Sequence, residues 1–550
     1  MLTGRTPSLG SQTWITVSFF IIGLLLAREA AGHILDGDMS FLEFAAAGAV
    51  GCAIVIAILR NWRLGFYLFN IWLMFEDLFR KYMGNGLALF FGKDILAAII
   101  YFCLYSAIRR RKEKPFRPPF LLWFTLSLFV WVGAIQIFNP NSPSVIFGLL
   151  GFKLDFYYVP MMFVGYALVR SRDELRKFLV VNVIIGFVIC SVGIIQAIVG
   201  NTFLNPAGLA PELRGLGDLE KVTPISGQVF SLPPSVFVST GRYALYLTLA
   251  AMLAIGTAGY LLLYTKRSRK LVFFATGAIG AATLLSGSRT AVVDVIASTC
   301  VLTVGLLWGA PWKWQQGRRM VKAIRLSFTM AALGLALAVL LFPQAVGSRL
   351  AFYTETLNPY SSASELLSRG WTYPISNFLA VFQNPSWILG NGIGTASLGT
   401  QYVSRFLGTH YTAQWTEEGY GQLILELGIV GPLLWLLWSG SLLYCCWKIV
   451  RQLRQTMFSP IAFAIVWYAF VLLYPLTFGG TTAYQNYVNN VFLWLLIGIL
   501  FRLPEIAATP EEREQVLPAQ VGALARRRRH FWDTRPIVQP VTAFGEKLSD

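Results

Sequence analysis

Apolar runs of bilayer-crossing length recur through this chain, and no other feature constrains its fold as tightly. A helix needs about 20 consecutive apolar residues to cross a hydrocarbon core roughly 30 Å thick. Helices also satisfy every backbone hydrogen bond internally where water is absent. Such runs lie near 12–28, 41–60, 64–79, 87–108, 119–138, 156–169, 178–199, 241–264, 271–287, 290–308, 325–344, 422–446, 458–476 and 484–503. Several are short, the third and sixth in particular, and read as tilted, re-entrant or joined to neighbours. The expectation is an all-α, polytopic integral membrane protein with twelve to fourteen transmembrane helices. Charged residues are 13% of the 550, against about 25% in soluble domains. The first apolar run follows a polar start and precedes no small-residue cleavage site, so it reads as an uncleaved span.

The net charge of +18 would suggest nucleic acid in a soluble chain. Here the basic residues sit in links between spans: Arg109 to Lys114, Arg170 to Lys177, Lys266 to Lys270, Lys313 to Arg325, and Lys448 to Arg454. Cytoplasmic loops carry such an excess, so the charge reports topology and contact with membrane lipids rather than nucleic acid. With these links inside, both termini are cytoplasmic. The transmembrane domain covers 1–503 and a Pro-, Glu- and Arg-rich tail, expected to be disordered, covers 504–550. The outer links are then 29–40, 80–86, 139–155, 200–240, a turn near 288, 345–421 and 477–487. Two are long, the loop 200–240 and the stretch 345–421. Long loops in compact proteins usually carry function or helices of their own, so 345–421 reads as an ordered cap. The six cysteines all fall in apolar runs and read as small core hydrophobes.

Outer arginines are informative because the positive-inside bias does not account for them. Arg242 lies at the mouth of the eighth span, in Ser239-Thr240-Gly241-Arg242-Tyr243. Arg289 lies in the turn Ser286-Gly287-Ser288-Arg289-Thr290. Taken singly, each reads equally as a residue snorkelling to headgroups. Taken together, two guanidiniums at span ends can fork onto phosphate oxygens. Arg214, Arg349, Arg369, Arg405 and Lys153 are also outside by this topology. The run Leu389-Gly390-Asn391-Gly392-Ile393-Gly394 offers either an anion nest or a tight turn beneath the cap.

Acids open the twelfth span, in Trp415-Thr416-Glu417-Glu418-Gly419. Thr416 is a candidate cap, with Glu417 and Glu418 near the positive helix end. Capping does not explain Glu426, more than two turns deeper among apolar residues; a carboxylate there is either paired or neutral. Of three histidines, His33, His410 and His530, only His410 lies in the cap, so a His-based metal site is not expected. Asp36, Asp38, Glu76, Asp77 and Asp155 are outer acids that leave a hard-cation site open without themselves supporting one. No metal and no cofactor is expected.

Three of these segments resemble the O-antigen ligase and polymerase superfamily of bacterial envelope glycosyltransferases. They are Ser286-Gly287-Ser288-Arg289, the Pro385 to Gly394 run, and Tyr420 to Gly431 with its Glu-Leu-Gly-x-x-Gly ending. The resemblance covers roughly 200–500 and includes the long outer loop before the last motif. It implies a membrane-glycosyltransferase helical bundle in the inner membrane, with a periplasmic active site. It also implies transfer of glycans carried on undecaprenyl pyrophosphate to a glycan or lipid-linked acceptor, without a metal. By the resemblance, Arg289 and Arg242 hold the pyrophosphate. Ligases of this family usually open the last motif with His-Asn, and the His is commonly treated as the base. This chain has Glu417-Glu418 there, which points away from a lipid A ligase and towards an exopolysaccharide polymerase or a divergent transferase. The candidate base is then either Glu417 or His410, the latter approaching from the loop. Arg369, Arg405, Arg214 and Glu418 are candidate substrate contacts. A polysaccharide flippase and a chain-length regulator are the implied partners. The alternative is a transporter of a small anion or lipid-linked glycan. That fold would show polar residues near span midpoints and broken helices in corresponding halves. Asp294 and Asn182 are polar positions within spans, but no repeat organises them.

Overall fold

A computed structural model describes residues 40–83, 87–206, 219–309, 339–397, 400–408 and 416–508, with scattered positions between 318 and 336. The expected first span at 12–28, nine of the twenty residues of 325–344 and the tail beyond 508 lie outside the described residues. The chain divides into a body, Met1–Leu503, and a C-terminal unit, Pro504–Asp550.

The described residues are overwhelmingly helical. In chain order the helices are α1 (Ser40–Arg60), α2 (Trp62–Met83), α3 (Leu87–Arg109), α4 (Phe120–Gln136), α5 (Val145–Phe156), α6 (Met161–Leu168) and α7 (Arg172–Val199). After a small hairpin, β1 (Glu220–Val222) and β2 (Val229–Ser231), come α8 (Thr240–Tyr264), α9 (Arg269–Leu285), α10 (Arg289–Gly309) and α11 (Pro343–Leu357). A π-turn (Ser368–Thr372) leads into α12 (Tyr373–Val381). There follow α13 (Thr400–Leu407), α14 (Gly419–Leu427), α15 (Val430–Gln452), α16 (Ser459–Leu473), α17 (Pro475–Gly479), α18 (Thr482–Gln485) and α19 (Tyr487–Ala507).

Among the described residues, eight stretches are long and apolar enough to cross a membrane: α3 from Phe91, α5 with α6, α7, α8, α10, α15, α16 with α17, and α19. The protein is therefore a multi-pass membrane protein. Helices α1, from Gly48, and α4 are shorter apolar helices. Three readings of the sequence change. Residues 145–168 form one continuous apolar stretch, so 139–155 is largely helix rather than an outer link. Lys153 then lies within a helix, where its Nζ pairs with Asp94 Oδ2 at 2.6 Å. The third run is the full helix α2, too charged to qualify as an apolar span because it carries Glu76, Asp77, Arg80 and Lys81, all buried. The twelfth run is broken at Gly428 into α14 and α15.

Helix α8 is the hub, packing against α7, α9, α10 and α16. Helices α6 and α19 cross at backbone contact. A Cβ on Gly165 would lie 2.0 Å from the Leu495 carbonyl, and one on Gly498 would lie 2.0 Å from that of Met162. Small residues at such crossings replace the hydrophobic drive that lipid removes. Trp435, Trp438, Trp494 and Tyr484 fill the core between α15 and α19, with the Trp438 and Trp494 rings stacked at 5.7 Å.

Candidate functional site

The 343–427 region builds a charged site on an aromatic base. Pro343 opens α11, where a missing N–H costs nothing. The Glu355 carboxylate on α11 accepts hydrogen bonds from the Ile225 and Ser226 amides, at 2.8 and 3.1 Å. A hydrogen bond with the Ser226 side chain, then those from the two amides, hold Glu355 below the usual carboxylate range. They fix the turn of the hairpin, in which Lys221 stands opposite Phe230. Phe230, Val292, Phe352 and Tyr353 form one buried cluster beneath it. Arg349 is fully buried beside them. It donates to the Ala345 and Ser231 carbonyls, both at 2.6 Å, and its guanidinium lies 5.4 Å from the Phe230 ring. Burial pushes its pKa down to about 10.

Two cations share the Phe352 ring: the Arg289 guanidinium at 5.2 Å and Lys221 Nζ at 4.7 Å. A relay of ion pairs then runs outward. Arg289 Nη2 meets Glu365 Oε2 at 2.9 Å, that same oxygen meets Arg369 Nε at 3.3 Å, and Arg369 Nη1 meets Glu417 Oε2 at 3.1 Å. The hydrogen bond from Arg289 holds the Glu365 carboxyl below its ordinary range. Burial, then the nearby Arg289 charge, pull the Lys221 ammonium down. The local set is Lys221, Arg289 and Arg369 against Glu365 and Glu417, three positive charges to two negative. Arg289 Nη1 is buried and has no hydrogen-bond partner. Positive surplus with an unused guanidinium donor is the chemistry of an anion site.

The structure thus brings together Arg289, Arg369 and Glu417 of the sequence candidates and adds Lys221 and Glu365, which sequence reasoning missed. Lys221 had the same signal as Arg242 and Arg289, a basic residue in a link, 200–240, that the positive-inside reading assigns to the outer side. Glu365 had none, since its meaning lies in the two arginines it bridges. Arg242 belongs to a different network. Its Nη1 lies 2.8 Å from both oxygens of buried Asp77, which also holds Arg80 at 2.9 Å. Around it, Lys93 pairs with Glu76 at 2.8 Å and Lys81 donates to the Ser235 carbonyl at 2.6 Å. Glu76 and Asp77 are therefore interior ion-pair partners, not exposed outer acids.

The acid pair at 417–418 divides its work. Glu418, not Thr416, is the N-cap of α14; its carboxylate accepts from the Tyr420 amide at 2.7 Å and from that of Gly421. Burial pushes its pKa up to about 7 against those hydrogen bonds. Glu417 is the exposed member, at the end of the relay. Glu426 is buried and its Oε1 accepts from the Ala396 amide at 3.0 Å. The glycine run is a tight turn clasped onto α14, not an anion nest. The Asn391 and Gly392 amides donate to the Leu425 and Glu426 carbonyls, at 2.7 and 3.1 Å, so they are not available to a ligand. Gly390, Gly392 and Gly394 all have positive φ, and a Cβ on Gly394 would lie 2.1 Å from the Phe147 carbonyl. His410 and Arg214 lie outside the described residues. Arg405 is on α13, its side chain outside them too.

Among the described residues, no three His, Cys, Asp or Glu side chains gather as a metal-ligand set. A scan against protein-family models and a search of curated proteins find no match to this chain.

Proposed function

We propose that this chain is a glycosyltransferase that polymerises or transfers undecaprenyl-pyrophosphate-linked oligosaccharide. It would act at the periplasmic face of the bacterial inner membrane, in exopolysaccharide or O-antigen biosynthesis. The observation that carries this reading is the cationic surplus of Lys221, Arg289 and Arg369, with a buried unused donor on Arg289, beside the exposed carboxylate of Glu417. The donor pyrophosphate sits against the three cations. The acceptor hydroxyl oxygen attacks the anomeric carbon, the bond from that carbon to the pyrophosphate oxygen breaks, and Glu417 takes the hydroxyl proton. Charge grows on the departing pyrophosphate, where the guanidiniums and the ammonium stabilise it more than in the bound donor. Arg242, tied to Asp77, supports α8 from inside and is not a phosphate ligand in this scheme.

Purified protein given polyprenyl-pyrophosphate-linked oligosaccharide is expected to release the polyprenyl pyrophosphate and lengthen the glycan, and Glu417→Gln to slow turnover about 100-fold or more. Failure with every donor, beside solute flux in liposomes, would favour the transporter. One observation speaks for that second reading: the interior ion pairs of α2 and α3, since buried charges at membrane depth often mark a transport path.

A further inference from the structure

Asp155 on α5 and Glu426 on α14 are 4% and 2% exposed. Glu426 is anchored to the segment that follows the glycine turn, through the Ala396 amide, and α5 packs on that turn. Close packing of α5 on the glycine turn brings them together: a Cβ on Gly151, one helical turn before Asp155, would lie 2.3 Å from the Gly394 Cα. Each acid has only neutral donors. Asp155 Oδ1 accepts from Gln485 Nε2 at 3.2 Å, and Glu426 Oε1 accepts from the Ala396 amide at 3.0 Å. Among the described residues no Lys, Arg or His makes an ion pair with either. Two buried carboxylates must hold protons or be matched by a cation.

Neighbouring oxygens point to the cation. Gln485 Oε1 is buried and has no hydrogen-bond partner, and it belongs to the amide whose nitrogen is on Asp155. Asn490 Oδ1 is likewise buried and unpartnered, on an amide whose nitrogen lies 3.0 Å from the Leu154 carbonyl. These residues are 5% and 0% exposed. Buried oxygens without donors, on the residues that hold Asp155 and the adjacent Leu154 carbonyl, are of the type a hard cation takes as ligands. We propose that Asp155 and Glu426, with the side-chain oxygens of Gln485 and Asn490, bind one divalent cation of calcium's size. Two negative charges call for a divalent ion. Calcium accepts an irregular shell of protein oxygens, whereas magnesium demands octahedral geometry and keeps its waters, which so buried a site does not supply. A bound ion would staple α5, α14, α18 and the start of α19 at one point. The inference is independent of the glycosyltransferase reading.

The test uses the full chain in detergent micelles, stripped with EDTA and desalted, then titrated with calcium chloride against sodium chloride at matched ionic strength. The expected result is one saturable site by calorimetry and a calcium-dependent rise in the unfolding midpoint, both lost in Asp155→Asn and Glu426→Gln. Identical unfolding of the wild type in calcium and in EDTA overturns the proposal and assigns protons to the pair. A wild-type calcium response retained by both variants also overturns it. If the variants do not fold, the wild-type comparison decides alone.

Discussion

Two charged networks in this molecule use the same residue types to opposite ends. Around Asp77, the ion pairs within α2 and from α2 to α3 are sealed: Asp77 and Arg80 are fully buried and Glu76 with Lys93 nearly so, while Arg242 on α8 keeps 23% of its side chain exposed. Around Glu365, the partners keep from 20% to 57% of their side-chain surface exposed. Coulomb attraction is similar at contact, but solvent decides what can exchange. Exposed pairs contribute only about 0–1 kcal/mol each and yield readily to a competing anion. Buried pairs cost about 3–5 kcal/mol to break, because the partner left behind is an uncompensated charge. The two arginines are themselves similarly exposed, 23% for Arg242 and 20% for Arg289, so their partners separate them: a fully buried carboxylate for Arg242 and a solvent-exposed one for Arg289. Arg289 sits in the exchangeable network and Arg242 in the fixed one, although as lone outer arginines at span ends they look alike.

The largest effect should come from breaking the fixed network. Asp77→Ala strands Arg80 and Arg242 and is expected to destabilise the fold by about 3–5 kcal/mol, read as a collapse of the unfolding midpoint in detergent. A midpoint unchanged from wild type would erase the contrast between the two networks. Next, Arg289→Ala is expected to cut glycan transfer by about 100- to 1,000-fold while leaving the midpoint near wild type. An equal loss of folded protein would place Arg289 with the structural residues. Glu365→Gln removes the carboxylate that bridges two guanidiniums. Binding of farnesyl pyrophosphate, a short polyprenyl probe, should tighten by up to about tenfold, roughly 1.4 kcal/mol, and weakened binding would show that Glu365 organises the arginines rather than competing for them. The smallest effect concerns Glu418. Its folded pKa of about 7 lies above the ordinary 4.5, so between those values the folded state holds more protons than the unfolded chain. Its contribution is complete below about pH 4.5 and is lost as pH rises through 7. The unfolding midpoint should therefore decline across that window in the wild type, and decline less in Glu418→Gln.

How much of this could be read in advance depended on the range of each signal. Apolar runs are local, so most helices fell where hydropathy put them. Helix α2 was harder, because its charges find partners inside the body, with Arg242 lying 165 residues from Asp77. The turn position of Arg289 was legible, since a basic residue against the positive-inside bias stands out locally. Its partnership with Lys221 over one ring was not, because a hairpin and two helices must converge on Phe352 to create it. The burial of Glu426 followed from its apolar neighbours. The assignment of the cap to Glu418 over Thr416 turned on a two-residue shift in the start of α14, finer than any sequence pattern resolves. The glycine run was readable as a turn, but not the surface it clasps.

That clasp has a consequence for how the protein is made. The Leu389 and Gly390 carbonyls accept from the side chains of Gln136, Asn139 and Asn141, about 250 residues earlier. The turn's own amides close on Leu425 and Glu426. A ribosome adding roughly 5–20 residues per second thus inserts α4 and α5 many seconds before their covering turn exists. In the interval the α5 face of Phe147 and Gly151, which meets Gly394, must be shielded by lipid or by the insertion machinery. Truncation anywhere before 430 should yield chains that reach the membrane and are then degraded, so that the last third of the message acts as quality control over the first.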